Sequence, residues 1–302
     1  MESKIPTSEV VFQSGIPTLD QLLGDKGIHV GDWIGIAGEP GSMKSVMCTK
    51  IAGEWLSNGT GIVIYTCTET GKNNIIRQFD NMGYDIDDCL DDNRMFIIDA
   101  FTPRATPPKA DAISRKVEEF LRLPNVRALK QGGARILFIL DSLAPLWPAT
   151  VKAREVFSVL MQNLKPVVDI AVFTLQWAAA GHEFGWGAGH MVDIIMYTGT
   201  YYQDEQKYWI QIAKTRYNKA KSKMYDFSMN ENHEITINDP LLINGRFKDV
   251  REALESMKYA NRAEIQEKIQ RERNMLVMNQ NKQLKELTDK IAEFLKTMHC
   301  HV

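Results

Sequence analysis

WIGIAGEPGSMKS, residues 33–45, joins an apolar run to a turn bearing glycine and proline that ends in Lys44-Ser45. The run is short and apolar throughout, which reads as a strand buried on both faces. The turn approaches the phosphate-loop pattern G-x-x-x-x-G-K-[ST]. Gly38, Lys44 and Ser45 meet it, and Met43 stands where the second glycine belongs. Between a strand and a helix, such a turn lets backbone N–H groups wrap a phosphate chain while the helix N-terminus adds partial positive charge. The pattern assigns Gly38, Glu39, Pro40, Gly41, Ser42 and Met43 to the cradle, Lys44 to the β- and γ-phosphates and the Ser45 hydroxyl to Mg²⁺. Met43 must hold a backbone conformation that a residue with a side chain can adopt, with that side chain turned from the phosphates.

Further apolar runs recur at GIVIYTCT (61–68), MFIIDA (95–100), RILFILDS (135–142) and IAVFTLQ (170–176). Between them lie stretches with apolar residues three or four apart: 45–59, 72–83, 111–124 and 153–165. Strand and helix therefore alternate, which predicts an α/β fold with a mostly parallel sheet flanked by helices. From about residue 191 the texture changes to short alternating runs, DIIMYTGTYYQD, KYWIQIAKTR, MYDFSMN and EITIND. These predict antiparallel strands at the sheet edge. Residues 249–298 read as one or two helices with a thin apolar stripe, so the expected division is a domain over 1–245 and a helical extension over 246–302.

Lys+Arg 36 against Asp+Glu 38 gives a formal charge of −2, which excludes a general pull toward nucleic acid or an anionic membrane. No apolar run approaches the length of a membrane span, and the first residues lack the basic start and apolar stretch of a leader. The expectation is a cytoplasmic protein with no membrane partner. Cys48, Cys67, Cys89 and Cys300 fit no zinc spacing and are expected as free thiols.

In a phosphate-loop enzyme a second buried strand ends in an aspartate that holds the metal's water shell, and Asp141 ends RILFILD. Glu69, Asp141 and Gln176 join the loop as polar residues at strand ends of one sheet, where open α/β sheets bind ligands. With these residues, the chain resembles the KaiC-like branch of the RecA superfamily of ATPases, including the archaeal RadA paralogs. The likeness runs from SGIPTLDQLLG (14–24) through GDWIGIAGEPGSMKS, IYTCTET, IIRQFDNMGYDI, ILDSLAPLW, TLQW and FGWGAGHMVDIIM to QIAKTRYNKAKSKMYDFSM (211–229), in the family's order.

The resemblance implies an ATP- and Mg²⁺-dependent ATPase of RecA-like fold. Lys44 and Ser45 fall on the residues for phosphate and Mg²⁺, and Asp141 on the one that reaches the metal through water. Glu69 falls on the base that orients the attacking water, with Thr70 in place of the second member of the family's Glu-Glu pair. Gln176 matches the sensor of the γ-phosphate. Lys214 and Arg216 match the Lys-x-Arg that reaches the nucleotide of an adjacent subunit, which implies a homo-oligomeric ring, a hexamer by resemblance.

Lys214, Arg216, Lys219, Lys221 and Lys223 form a basic run without an acid, and Phe184 and Trp186 lie in a glycine-rich segment. Both features suit single-stranded nucleic acid, but the footprint is short and DNA is not the favoured partner. The helical extension is available for subunit contacts or a protein partner. Two alternatives to this reading follow: a nucleotide-binding regulator or scaffold with little turnover, suggested by Met43 and Thr70, and a DNA-binding ATPase associated with DNA repair or recombination.

Overall fold

The computed structural model describes residues 11–23, 27–59, 61–101, 109–146, 153–176, 191–202, 206–216, 224–230 and 233–240. The extension expected over 246–302 and the aromatic segment around Phe184 and Trp186 lie outside the described residues. In chain order the strands are β1 (Val11–Phe12), β2 (Ile28–His29), β3 (Trp33–Gly38), β4 (Gly61–Cys67), β5 (Met95–Asp99), β6 (Arg135–Asp141), β7 (Ile170–Gln176), β8 (Ile194–Tyr202), β9 (Gln206–Lys214), β10 (Met224–Met229) and β11 (Ile235–Pro240). The helices are α1 (Pro17–Leu22), α2 (Lys44–Ser57), α3 (Lys72–Asn81), α4 (Asp87–Asp91), α5 (Ala110–Leu121), α6 (Pro124–Gln131) and α7 (Ala153–Leu164).

β1 and β2 form a small antiparallel pair, and the other nine strands make one sheet in the order β11-β10-β9-β8-β3-β7-β6-β4-β5. The strands from β8 to β5 in that order are parallel neighbours. β9, β10 and β11 follow antiparallel. The sequence expectation is corrected at β8: it pairs in parallel with β3 along Ile34↔Ile194 to Gly38↔Thr198, and only its other edge is antiparallel. A period-two pattern reports which faces are covered and not the direction of the partner strand, so this distinction was not written in the local sequence.

The parallel strands are apolar throughout because both faces are covered. Ile34, Ile36, Val63, Tyr65, Leu137, Ile139 and Val172 pack on one side with Met47, Ile51 and Phe79. Their strand neighbours Trp33, Ile62, Ile64, Phe138, Leu140 and Phe173 pack on the other with Val117, Phe157 and Leu160. Phe173 is the centre of the second layer: its ring stacks on Trp33 at 5.1 Å and meets Phe157 edge-on at 4.9 Å. Phe173→Ala is expected to cost ~3–5 kcal/mol, the range for emptying a large aromatic site in a core. Urea unfolding followed by far-UV circular dichroism measures it.

Candidate functional site

Parallel pairing sets the carboxyl ends of the central strands side by side. Gly38 pairs with Gln176 and with Thr198, and Cys67 pairs with both Asp99 and Asp141. The turn after β3 enters α2 at Met43, whose backbone lies in the left-handed region at φ 65°, ψ 17°. That conformation is natural to glycine and costs a side-chain-bearing residue about 1–2 kcal/mol. Part of the offset is contact: the half-buried Met43 side chain packs against the core layer that includes Ile34 and Met47. It also lines the cavity beside the loop rather than leaving it altogether.

No side chain caps the first turn of α2. Its leading N–H groups are the orphan donors of a helix start, suited to an anion. The loop is fixed from beneath: buried Ser42 Oγ donates to the Glu39 carbonyl at 2.8 Å and lies 2.8 Å from Thr198 Oγ1 on β8. The Glu39 side chain turns aside, its Oε2 accepting from Thr200 Oγ1 at 3.2 Å. At Gly38 a Cβ would fall on the Thr198 carbonyl oxygen inside van der Waals distance, so this close approach of loop and strand requires glycine.

A cavity of about 580 Å³ opens above these strand ends. Lys44, Ser45, Glu69, Asp141 and Gln176 all line it with loop residues 40–43, so the structure brings together this part of the sequence-derived set. Lys44 is 8% exposed, and its Nζ donates to the carbonyls of Gly38 at 3.2 Å and Glu39 at 2.6 Å. Burial holds the ammonium below its usual pKa, while Asp141 and Glu69 act in the opposite direction.

Asp141 is held by two buried groups: Thr174 Oγ1 donates to it at 2.6 Å and the Tyr65 phenol at 3.0 Å. Burial raises that phenol well above its ordinary range, so it remains a donor. Glu69 accepts from Gln176 Nε2 at 2.7 and 2.8 Å and from the Ser142 hydroxyl. Ser142 is tied in turn to the residue that follows β4, its N–H donating to Thr68 Oγ1 at 2.8 Å. Thr70, in the place of a second carboxylate, accepts from Asn74 Nδ2 at 2.9 Å.

Lys214 and Arg216 are not in this group. Lys214 Nζ donates to the Val192 carbonyl at 2.6 Å, and Arg216 pairs with Asp193 at 2.8 Å, both at the amino end of β8. The six residues of β3 separate that end from the loop by roughly 17 Å at the usual strand rise. Residues 219–223 of the basic run lie outside the described residues.

Sequence reasoning did not single out Thr174, Tyr65, Thr198, Tyr208 or Met229. Thr174 had a usable signal: it lies two residues before Gln176 on an otherwise apolar strand and so shares its face. Thr198 and the cavity-lining Tyr208 and Met229 depend on edge-strand pairing that the local pattern does not specify. Cys48, Cys67 and Cys89 are free and buried, with the Cys67 thiol pushed up to about 11 by burial. Among the described residues no group of three His, Cys, Asp or Glu is arranged for a metal, and no helix is long and apolar enough to cross a membrane.

A mostly parallel sheet with a phosphate-type loop after its central strand defines the RecA-like class of P-loop proteins. The family model for the KaiC ATPase matches residues 12–241, more than half of the chain, and the chain belongs to that family. Membership carries P-loop ATPase chemistry in general terms. Many solved structures match, among them a KaiC-like protein of the hyperthermophilic archaeon Pyrococcus horikoshii. It superposes with a TM-score of 0.61 at 18% identity over 76% of this chain and 100% of that one, a likeness of fold. No curated protein matches by sequence.

Gly38→Ala is expected to lower stability by ~1–3 kcal/mol, because the Thr198 backbone cannot yield as a flexible side chain would. A thermal melt of both chains checks this.

Proposed function

We propose that this chain is an ATP-binding, Mg²⁺-dependent ATPase of slow turnover that acts as a cytoplasmic homohexameric ring with nucleotide between subunits. The observation that carries it is a separation of charge. Among the described residues, the cavity at the loop is lined by one cation, Lys44, and two carboxylates, Glu69 and Asp141. A triphosphate there calls for further positive charge, which Mg²⁺ would supply in part and a cation from outside the cavity would complete. The Lys214 and Arg216 cations sit at the other end of the sheet, where only the nucleotide of another copy is within their reach.

The donor set fits Mg²⁺, which keeps several waters and binds through one or two protein groups plus phosphate oxygens. Ser45 would supply its hydroxyl and Asp141 would act through water; the metal would neutralise charge on the β- and γ-oxygens. Backbone N–H groups of 41–45 cradle the phosphates, and Lys44 leaves its carbonyl partners for the β/γ-oxygens. Glu69, oriented by Gln176 and Ser142, aligns a water for attack on the γ-phosphorus and takes its proton. Gln176 exchanges its bond to Glu69 for one to the γ-phosphate, reporting the state of the nucleotide to the segment that follows. Lys214 and Arg216 from the adjacent subunit stabilise the transferred phosphoryl group, which makes hydrolysis depend on assembly.

One observation favours a second reading, a nucleotide-binding regulator with little turnover: Glu69 stands alone, because Thr70 replaces the second carboxylate and is engaged by Asn74. Steady-state phosphate release by wild type, Glu69→Gln and Arg216→Ala separates the two. The ATPase reading predicts that Glu69→Gln lowers turnover by ~10²–10⁴ with ATP still bound. It also predicts that Arg216→Ala lowers turnover while gel filtration still shows the ring. Wild-type release no faster than that of the Glu69 variant would sink it in favour of the regulator.

A further inference from the structure

Asp193 begins the segment leading into β8 and is 2% exposed, yet no step proposed above uses it. One of its oxygens accepts the Trp33 N–H at 3.0 Å, and its own N–H donates to the Trp33 carbonyl at 2.7 Å. Two bonds to the first residue of β3 therefore fix its backbone and its side chain together. The other oxygen meets Arg216 Nε at 2.8 Å, on a side chain that is 50% exposed. Asp32, 1% exposed, stands beside it and accepts the His29 N–H at 2.8 Å. Burial and then the neighbouring Asp193 raise the Asp32 pKa, whereas His29 and Arg216 lower it.

A buried carboxylate is costly unless paired and hydrogen-bonded, and removing one partner of such a pair leaves an uncompensated charge. Asp193 therefore holds its guanidinium firmly, whereas an exposed Arg-carboxylate pair would be loose and worth little. The ion pair through Nε engages one edge of a planar group with several donors, so the same guanidinium can bridge a buried acid and an arriving anion. Lys214 donates to the Val192 carbonyl on the same segment and also lies in the field of Asp193.

We infer that Asp193 is the positioning residue for Arg216: it presents the guanidinium, from the amino end of the sheet, to the terminal phosphate bound by the neighbouring subunit. The inference rests on the trans-acting role proposed for Arg216. Asp193 itself touches neither nucleotide nor water. Because the oxygen that accepts from Trp33 holds the start of β3, the strand that leads to the subunit's own loop, Asp193 joins the cation given to one neighbour to the site shared with the other.

The test is phosphate release against ATP·Mg²⁺ by the full chain as wild type, Asp193→Asn, Arg216→Ala and the double variant. Asn retains an amide oxygen for the Trp33 N–H and removes the charge. The expected result for Asp193→Asn is a kcat at least about tenfold lower, and lower by no more than the ~10³–10⁵ that a placed cation contributes, with the ATP KM held within roughly threefold. The double variant is expected to be no slower than Arg216→Ala.

Mixing Asp193→Asn with Lys44→Ala supplies the readout that a merely structural role would not move. One chain keeps its loop and the other keeps a positioned Arg216, so mixed rings should release phosphate faster than either variant alone. If Arg216→Ala slows the enzyme while Asp193→Asn does not, or if the two losses multiply, the positioning role is overturned and the trans reading stands; if this mixture restores nothing while Arg216→Ala mixed with Lys44→Ala does, the positioning role alone is overturned, and if neither mixture restores release, both are. Wild-type turnover by Arg216→Ala overturns both. Should the Asn chain not fold, Asp193→Glu, which keeps the charge but displaces it by a methylene, must show the same fall in kcat at constant KM. Undiminished kcat there also overturns the inference.

Discussion

The parallel ladder of β3, β7, β6 and β4 is the constraint from which the site follows. Its pairings bring Gly38 beside Gln176 and Cys67 beside Asp141. Gly38 and Gln176, more than a hundred positions apart in the chain, thus end at the same edge. The apolar layers on both faces hold the ladder in register, since a slip of one residue would turn every buried Ile and Val to the opposite face. Under that condition the polar residues gather where the strands run out, and each is tethered by the next. Thr174 holds Asp141, Ser142 and Gln176 hold Glu69, and Thr198 holds the loop through Ser42.

The same sheet separates charge along its length. Among the described residues, one buried ammonium faces two carboxylates at the carboxyl end, and Arg216 and Lys214 gather near buried Asp193 and Asp32 at the amino end. In the function proposed above, the loop end with its Mg²⁺ receives further positive charge from the amino end of another copy. Two copies arranged so that the amino end of one meets the loop of the other would complete it. This is the physical reason to expect catalysis to require assembly, independent of any count of subunits.

Much of this was legible in sequence because burial on two faces writes itself as unbroken apolar runs, and those runs ended at Gly38, Asp141 and Gln176 as the structure has them. Lys44 and Ser45 were legible through loop spacing, and Glu69 through its place after an apolar run. What escaped depends on pairings between distant segments: the parallel direction of β8, the contact of Thr198 with Ser42, and the hold of Asp193 on Trp33. Met43 falls between the two. The pattern marked it as a departure, but only the backbone, at φ 65°, shows that the position lies in the left-handed region that glycine favours.

That conformation leads to the central claim, that the loop after β3 binds a nucleoside triphosphate in spite of Met43. Calorimetric titration of ATP·Mg²⁺ into wild type, Met43→Gly and Lys44→Ala tests it most directly. The account predicts that wild type binds, that Met43→Gly binds as tightly or more tightly because the left-handed turn no longer carries a side chain, and that Lys44→Ala loses most of the affinity. Undiminished binding by Lys44→Ala, or abolished binding by Met43→Gly, would contradict it.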